Sequence, residues 1–166
     1  MGHKIELLSA KQADMKLTRL AYEIFEKNIE KKQLVLAGIA DRGVDIARLL
    51  KEKLSNISDI SVELTTINID KKNPIDCRLK ETNFDYVNKT IIIIDDVANS
   101  GQTMCYALKL FLDKLVESIQ VTVLIDRKHK KFPISSDYVG IQISTTVQNH
   151  ITVEMNKGKI VGAFIE

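Results

Sequence analysis

Apolar positions along the chain switch repeatedly between a helical and an extended spacing. Between Lys11 and about Glu30, Leu17, Leu20, Ala21, Ile24 and Phe25 recur at i, i+3, i+4, i+7 and i+8, the stripe of an amphipathic helix, and Ser9 with Gln12 has the spacing of a capping box at its start. Gln33 to Ala37 is a short apolar run with the character of a buried strand. Val44, Ile46, Ala47, Leu50 and Leu54 then return to a helical period, with Asp45 in the first turn. Ser61 to Ile69 reads as a strand rich in β-branched residues. Ile91 to Ile94 is a continuous β-branched run, the pattern of a strand covered on both faces of a parallel sheet. Ala107, Leu108, Phe111, Leu112 and Leu115 predict the stripe of a further helix starting near Met104, and Ile119 to Ile125 a further strand. Tyr138 to Ile143, Ile151 to Met155 and Lys159 to Ile165 read as short strands, the last two joined by a hairpin-like turn at Asn156-Lys157-Gly158. The alternation predicts an α/β fold with a mainly parallel, twisted sheet flanked by helices.

No repeat, low-complexity tract or linker interrupts residues 1–166, which read as a single domain. A chain with 45% hydrophobic and 28% charged residues has the balance of a soluble globular protein and is too apolar for disorder. Its net charge of +2 does not by itself argue for nucleic acid. Cys77 and Cys105 lie in no metal-ligand spacing. With neither a signal peptide nor a long apolar stretch, they are expected as reduced thiols in the cytoplasm, Cys105 as a small core residue, and no membrane partner is expected.

The candidate chemistry gathers in Thr90 to Met104, TIIIIDDVANSGQTM. Asp95 and Asp96 end the isoleucine run and the small, polar segment VANSGQT follows. A strand end, a short loop and a helix N-terminus aim backbone N–H groups and a positive dipole end at one point, which suits a phosphate. Gly101 allows close backbone approach or a positive φ, and Ser100 and Thr103 add hydroxyls that can cap the helix. Asp95 and Asp96, projecting to opposite sides of a strand or splaying where it ends, can accept hydrogen bonds from vicinal hydroxyls or hold a hydrated Mg²⁺. A sugar phosphate is the simplest ligand. On spacing alone an ordinary capped turn remains the alternative, since neither GxGxxG nor GxxxxGK[ST] is present.

Three further stretches carry charge. The loop Gly38 to Gly43 brackets Asp41 and Arg42 between glycines, which suits either an arginine gripping a phosphate in bidentate fashion or an incidental surface arginine. Asp70 to Asp85 is long and polar, and reads either as a lid that closes Lys71, Lys72 and Arg78 over a polyanion or as an ordinary surface hairpin. Asp126 to Pro133 concentrates Arg127, Lys128, Lys130 and Lys131 around His129, either a solvated loop or a patch for phosphates of a substrate or of RNA. His129, set among these cations, is not assigned as an acid or base.

The pattern of four apolar residues, two acids, two small or apolar positions, two polar ones and Gly-x-Thr resembles the phosphoribosyl pyrophosphate (PRPP) motif of type I phosphoribosyltransferases. LTRLAYEIFEKN, LAGIADRGVDIARLL, TIIIIDDVANSGQTMCYAL, VLIDRKHKKFPISSDYVG and the VEM…GKIV ending resemble, in that order, the PyrR family, uracil phosphoribosyltransferases that in some bacteria also attenuate pyrimidine operons through RNA. The resemblance implies a five-stranded, mainly parallel sheet with a small C-terminal hood over the strands' carboxyl ends. It implies that Asp95 and Asp96 bind the ribose 2′- and 3′-hydroxyls of PRPP together with Mg²⁺, and that Ala98, Asn99, Ser100, Gly101, Gln102 and Thr103 enclose the 5′-phosphate. Ala40, Asp41, Arg42 and Gly43 become the pyrophosphate loop, in which a non-proline cis peptide is expected, with Lys71 and Lys72 closing from the flexible loop. Asp126, Tyr138 and Val139 border the base pocket.

The implied reaction displaces pyrophosphate from C1 of PRPP by a ring nitrogen of a free nucleobase, uracil first, and needs no protein nucleophile. The chain also departs from the family. Ile69-Asp70-Lys71-Lys72 stands where Tyr-Arg-Asp-Asp is usual, Asp41 replaces the Thr of Thr-Arg-Gly, Gln102 replaces the Arg of Thr-Gly-Arg-Thr, and ISTTVQNHITVE departs from the hood's Pro-Thr-Ser stretch. The alternative reading is a nucleotide-sensing RNA-binding regulator with weak or no catalysis, favoured by Arg19, Lys128, Lys130 and Lys131 and by the altered loop. A third keeps only an oligomeric scaffold, which the intact DDVANSGQT does not support. Relatives form dimers and tetramers, so a homo-oligomer is expected.

Overall fold

Thr90–Ala98, buried along its whole length, is the strand around which the other elements are laid down in the computed structural model, which describes residues 4–144 and 149–166. Among the described residues the order is β1 (Ile5–Ser9), α1 (Ala10–Lys27), β2 (Gln33–Ile39), α2 (Arg42–Ile57), β3 (Ser61–Asn68), β4 (Arg78–Leu79), β5 (Thr90–Ala98), α3 (Gln102–Leu112), β6 (Ser118–Arg127), β7 (Tyr138–Ile143), β8 (Ile151–Asn156) and β9 (Lys159–Ile165). β3, β2, β5, β6 and β7 lie side by side in that order and parallel, with β4 antiparallel on the outer edge of β3. This is the expected mainly parallel sheet flanked by helices.

Why the isoleucine run is unbroken follows from what covers it. Ile92 and Ile94 join Leu34 and Leu36 under Leu17, Leu20 and Ile24 of α1 and Ile46, Leu50 and Leu54 of α2. Ile91 and Ile93 join Val35, Ala37, Val121 and Val123 under Met104, Ala107 and Phe111 of α3. Alternate side chains thus enter opposite cores, and each fully buried aliphatic contributes roughly 1.5–3 kcal/mol of transfer free energy.

The chain runs from β2 through α2 to β3 on one side, then returns to place β5 on the other side of β2. Sheet growth reverses between β2 and β5, and ligands of open α/β sheets bind outside the carboxyl ends of the strands at such a switch point.

Local signals fared unevenly. The capping box is present, Gln12 N donating to Ser9 Oγ at 3.2 Å and Ser9 N to Gln12 Oε1 at 2.9 Å. α1 stops at Lys27 rather than near Glu30 because the buried Asn28 caps it, its side-chain amide donating to the Ile24 carbonyl at 2.8 Å. β5 extends past the isoleucines through both acids to Ala98, and α3 starts at Gln102, so the intervening loop is shorter than VANSGQT.

The predicted stripe of α3 is corrected at its end. Met104, Ala107 and Phe111 are buried, but Leu112 is 67% and Leu115 75% exposed. The helix ends at Leu112, and Leu115 sits in the following turn with φ 52°, so neither continues the buried face. The hood is a three-stranded antiparallel sheet, β1-β9-β8, and β1 comes from the N-terminus, an element the hydrophobic pattern did not indicate. The hood stretch ISTTVQNHITVE includes residues 145–148, which lie outside the described residues. Among the described residues no helix is long and apolar enough to cross a membrane.

Candidate active site

Asp95 and Asp96 lie near the carboxyl end of β5 with only 2% and 4% of their surface exposed. Each is oriented by the next backbone amide, Asp96 N donating to Asp95 Oδ1 and Val97 N to Asp96 Oδ1, both at 2.9 Å. Burial raises the Asp95 pKa well above the carboxylate range, the Asp96 charge raises it further, and the ammonium of Lys71 opposes both. Lys71 Nζ reaches Asp95 Oδ2 at 3.2 Å and Oδ1 at 3.3 Å, and lies 3.7 Å from Asp96 Oδ1. Arg42 Nη1 lies 3.6 Å from Asp96 Oδ2.

Two loops meet at this pair. The first turn of α2 presses directly on β5 at Gly43, where an added Cβ would stand 2.4 Å from the Ile94 carbonyl oxygen and 3.2 Å from Asp95 Cα. Only glycine lets the Ala40–Arg42 loop come this close. The Ala40–Asp41 peptide is cis, as the resemblance implied. Ala40, Asp41, Arg42, Lys71 and Asp96 line a cavity of about 300 Å³.

On the other side, Ala98 to Thr103 bend around a cavity of about 50 Å³ that Lys71, Asp95 and Met104 complete. Gly101 has φ 84°, and an added Cβ there would meet Ile134 Cγ2 at 2.8 Å. The first-turn amides of α3, which have no backbone partner within the helix, make this end favourable for an anion. Ser100 Oγ accepts from Gln102 N at 3.3 Å, whereas the cap position, Gly101, carries no side-chain hydrogen bond, so Thr103 does not cap α3.

The structure therefore brings together Ala40 to Gly43, Lys71, Asp95, Asp96 and Ala98 to Thr103. It separates the three residues assigned to the base pocket. Asp126 pairs with Ala98 and Gln142 in register and sits at the level of the small cavity. Tyr138 pairs with Thr122 and Val139 with Val123, so Tyr138 lies four residues, roughly 13 Å, below Asp126. Its hydroxyl is turned into the core, donating to Gln120 Oε1 at 2.8 Å. Parallel register, invisible in the local sequence, removes Tyr138 and Val139 from the pocket.

The cations assigned to RNA divide as well. The Lys130 ammonium is held by the Asp126 carboxylate and by the Arg127 carbonyl at 2.5 Å. Arg19 pairs with Glu23 and donates to the carbonyls of Val139 and Gly140 at 2.9 and 2.7 Å. Lys128 and Lys131 are exposed, and the amides of Lys131 and Phe132 donate to the Ser100 carbonyl, tying the basic loop to the phosphate-sized cradle. Lys72 is exposed and lines neither cavity at the acid pair, while Arg78 lines a separate cavity with Phe84 and Lys109.

Arg127 entered the sequence reading only as one cation of the basic stretch Asp126 to Pro133; in the structure its Nη1 donates to Asn99 Oδ1 at 3.3 Å and to the Asn149 carbonyl at 3.1 Å, joining the loop after β5 to the hood. Its place directly after Asp126, in register with the end of β5, was the available signal.

Among the described residues no group of three or more His, Cys, Asp or Glu side chains is placed to hold a metal. The two carboxylates supply hard oxygen donors suited to Mg²⁺, with the remaining ligands left to substrate and water.

Comparison with known proteins agrees with this geometry. The description of the phosphoribosyl transferase domain matches residues 4–157. Bifunctional protein PyrR of Clostridioides difficile (strain 630) is 35% identical over 164 residues, covering 93% of each chain, and that of Fusobacterium nucleatum is 36% identical over 151 residues, covering 85% of each. Among solved structures, a hypoxanthine-guanine phosphoribosyltransferase from Bacillus anthracis superposes with a TM-score of 0.76 at 20% identity, over 98% of this chain and 99% of that one. The hypoxanthine phosphoribosyltransferase of Trypanosoma cruzi gives 0.74 at 18% identity, over 84% and 82%. These last two establish the shared fold.

Proposed function

The chain belongs to the phosphoribosyl transferase family, as a type I member with PyrR relatives, and from that premise we propose that it transfers phosphoribosyl from PRPP to a free nucleobase, uracil first, releasing pyrophosphate. The observation that carries this reading is a buried acid pair flanked by two cavities, one at a helix N-terminus and one at a cis-peptide loop, both reached by Lys71. A 5′-phosphate fits the amide cradle of Ala98 to Thr103, and a diphosphate fits beside Arg42, Lys71 and the Ala40–Gly43 loop. Asp95 and Asp96 accept hydrogen bonds from the 2′- and 3′-hydroxyls between them.

Asp95 and Asp96 would hold Mg²⁺ together with the ligand, and bound there it would neutralise charge on the diphosphate. The ring nitrogen of the base forms its bond to C1 as the C1–O bond breaks, the electron pair leaves with pyrophosphate, and the N–H proton of the base is taken up by the departing pyrophosphate. Arg42 stabilises the departing diphosphate, which is why it is assigned a catalytic role. The chain orients the reactants and excludes water; no nucleophile is called for. Asp126, beside the cradle, borders the base. Incubating the protein with PRPP, Mg²⁺ and each common base tests this: pyrophosphate release with uracil is expected, and no release with any base while PRPP still binds removes the enzymatic reading.

A second reading, regulation through RNA, is favoured by the exposed Lys128 and Lys131 at the rim of the cradle. It predicts RNA affinity that falls steeply with salt, unlike turnover of a small base. Self-association as a homo-oligomer belongs to both readings and is checked by sedimentation.

A further inference from the structure

We propose that Lys71 is a built-in counter-cation for Asp95 and Asp96, which excludes bare divalent metal from the pair and yields only to metal arriving with a polyanionic ligand. This rests on the reading of the acid pair as the site of the metal and the sugar hydroxyls. Lys71 stands in the loop where the resembling family usually carries an acid, so the device belongs to this chain.

The geometry is specific. Two buried carboxyl groups face two cations, Lys71 within 3.7 Å of both and Arg42 at 3.6 Å from Asp96, so positive charge already balances or exceeds that of the pair without a metal. Lys71 is common to the linings of both cavities, whereas Asp95 lines one and Asp96 the other. Among the described residues a bare dication would find two protein carboxylates and an ammonium already between them, which opposes its entry.

A diphosphate changes both sides of this balance. Its oxygens complete the metal's coordination, and they give the ammonium a new partner in the larger cavity. A half-exposed lysine on a flexible four-carbon stem moves readily to that partner. Loading of the metal is thereby coupled to loading of the substrate.

Mn²⁺ binding followed by electron paramagnetic resonance on the ligand-free protein tests this without reference to turnover. Lys71→Gln is expected to bind bare Mn²⁺ about tenfold more tightly than the wild type, a difference of about 1.4 kcal/mol. Lys71→Arg should stay near the wild type, and Lys71→Gln combined with Asp95→Asn should lose the gain. Equal affinity in wild type and Lys71→Gln, or a gain that persists in the double variant, overturns the proposal. Adding PRPP separates the two ideas. If Lys71→Gln gains bare metal but no protein binds Mn²⁺ with PRPP, the counter-cation stands and the phosphoribosyl reading falls. If Mn²⁺ with PRPP binds normally and bare-metal affinities are equal, the reverse holds.

Discussion

The same sheet buries polar groups at both ends, and the two ends treat them differently. At the amino-terminal end, Asn28 and Gln120 exchange side-chain amide hydrogen bonds at 3.0 Å in both directions, and the Tyr138 hydroxyl donates to Gln120 at 2.8 Å. Every partner is neutral, buried and carried by regular structure or its cap. Burial pushes the Tyr138 phenol up to about 12, so it stays protonated. At the carboxyl end, Asp95 and Asp96 are equally buried, but their cations come from a loop and a helix N-terminus, remain half exposed and border open cavities. A closed neutral network stabilises; a buried charged pair with movable partners is built for a ligand.

The largest expected effect tests that contrast at the site. Asp96→Asn should lower kcat/KM for PRPP by about 10²–10³-fold, the scale of losing one preorganised electrostatic contact, with little loss of stability. Unchanged PRPP binding in a titration would remove the assigned role of this carboxylate. Next in size, Gly43→Val places a side chain against the Ile94 carbonyl and pushes the Arg42 loop away from the acids. It should cost about 1–3 kcal/mol in urea unfolding and about 10²-fold in kcat. Activity near normal would show that the close approach is dispensable.

At the other end, Asn28→Ala leaves Gln120 without its amide partner and should cost about 1–3 kcal/mol, with KM for PRPP unchanged. A large change in KM would break the distinction between scaffold and site.

Stability against pH sharpens the contrast further. The folded Asp95 pKa lies above its unfolded value, so in that window the ligand-free fold holds a proton that the unfolded chain releases. The associated stability is full below the ordinary carboxylate range and falls as pH rises through the raised value. Asp95→Asn should flatten this decline and leave the ligand-free protein more stable at neutral pH, measured as urea midpoints across pH. The smallest effect is Leu112→Gln, within about 0.5 kcal/mol, because that side chain is already in solvent.

Much was legible along the chain because it depends on neighbours in sequence. The four isoleucines encode a strand covered on both faces, Ser9 and Gln12 encode a helix start, and two acids followed by a glycine-bearing turn encode a strand end that bends around a small cavity into a helix. Those patterns determined the α/β architecture and the local shape of the candidate site, since burial period and turn chemistry act over a few residues.

Only the folded chain decided the rest. β1 joins β9 across almost the entire sequence, register takes Tyr138 to Gln120 instead of the pocket, and a loop lysine reaches the acids of a strand 24 residues away. Each of these is a contact between segments whose meeting depends on sheet order and loop path, quantities that no local spacing carries.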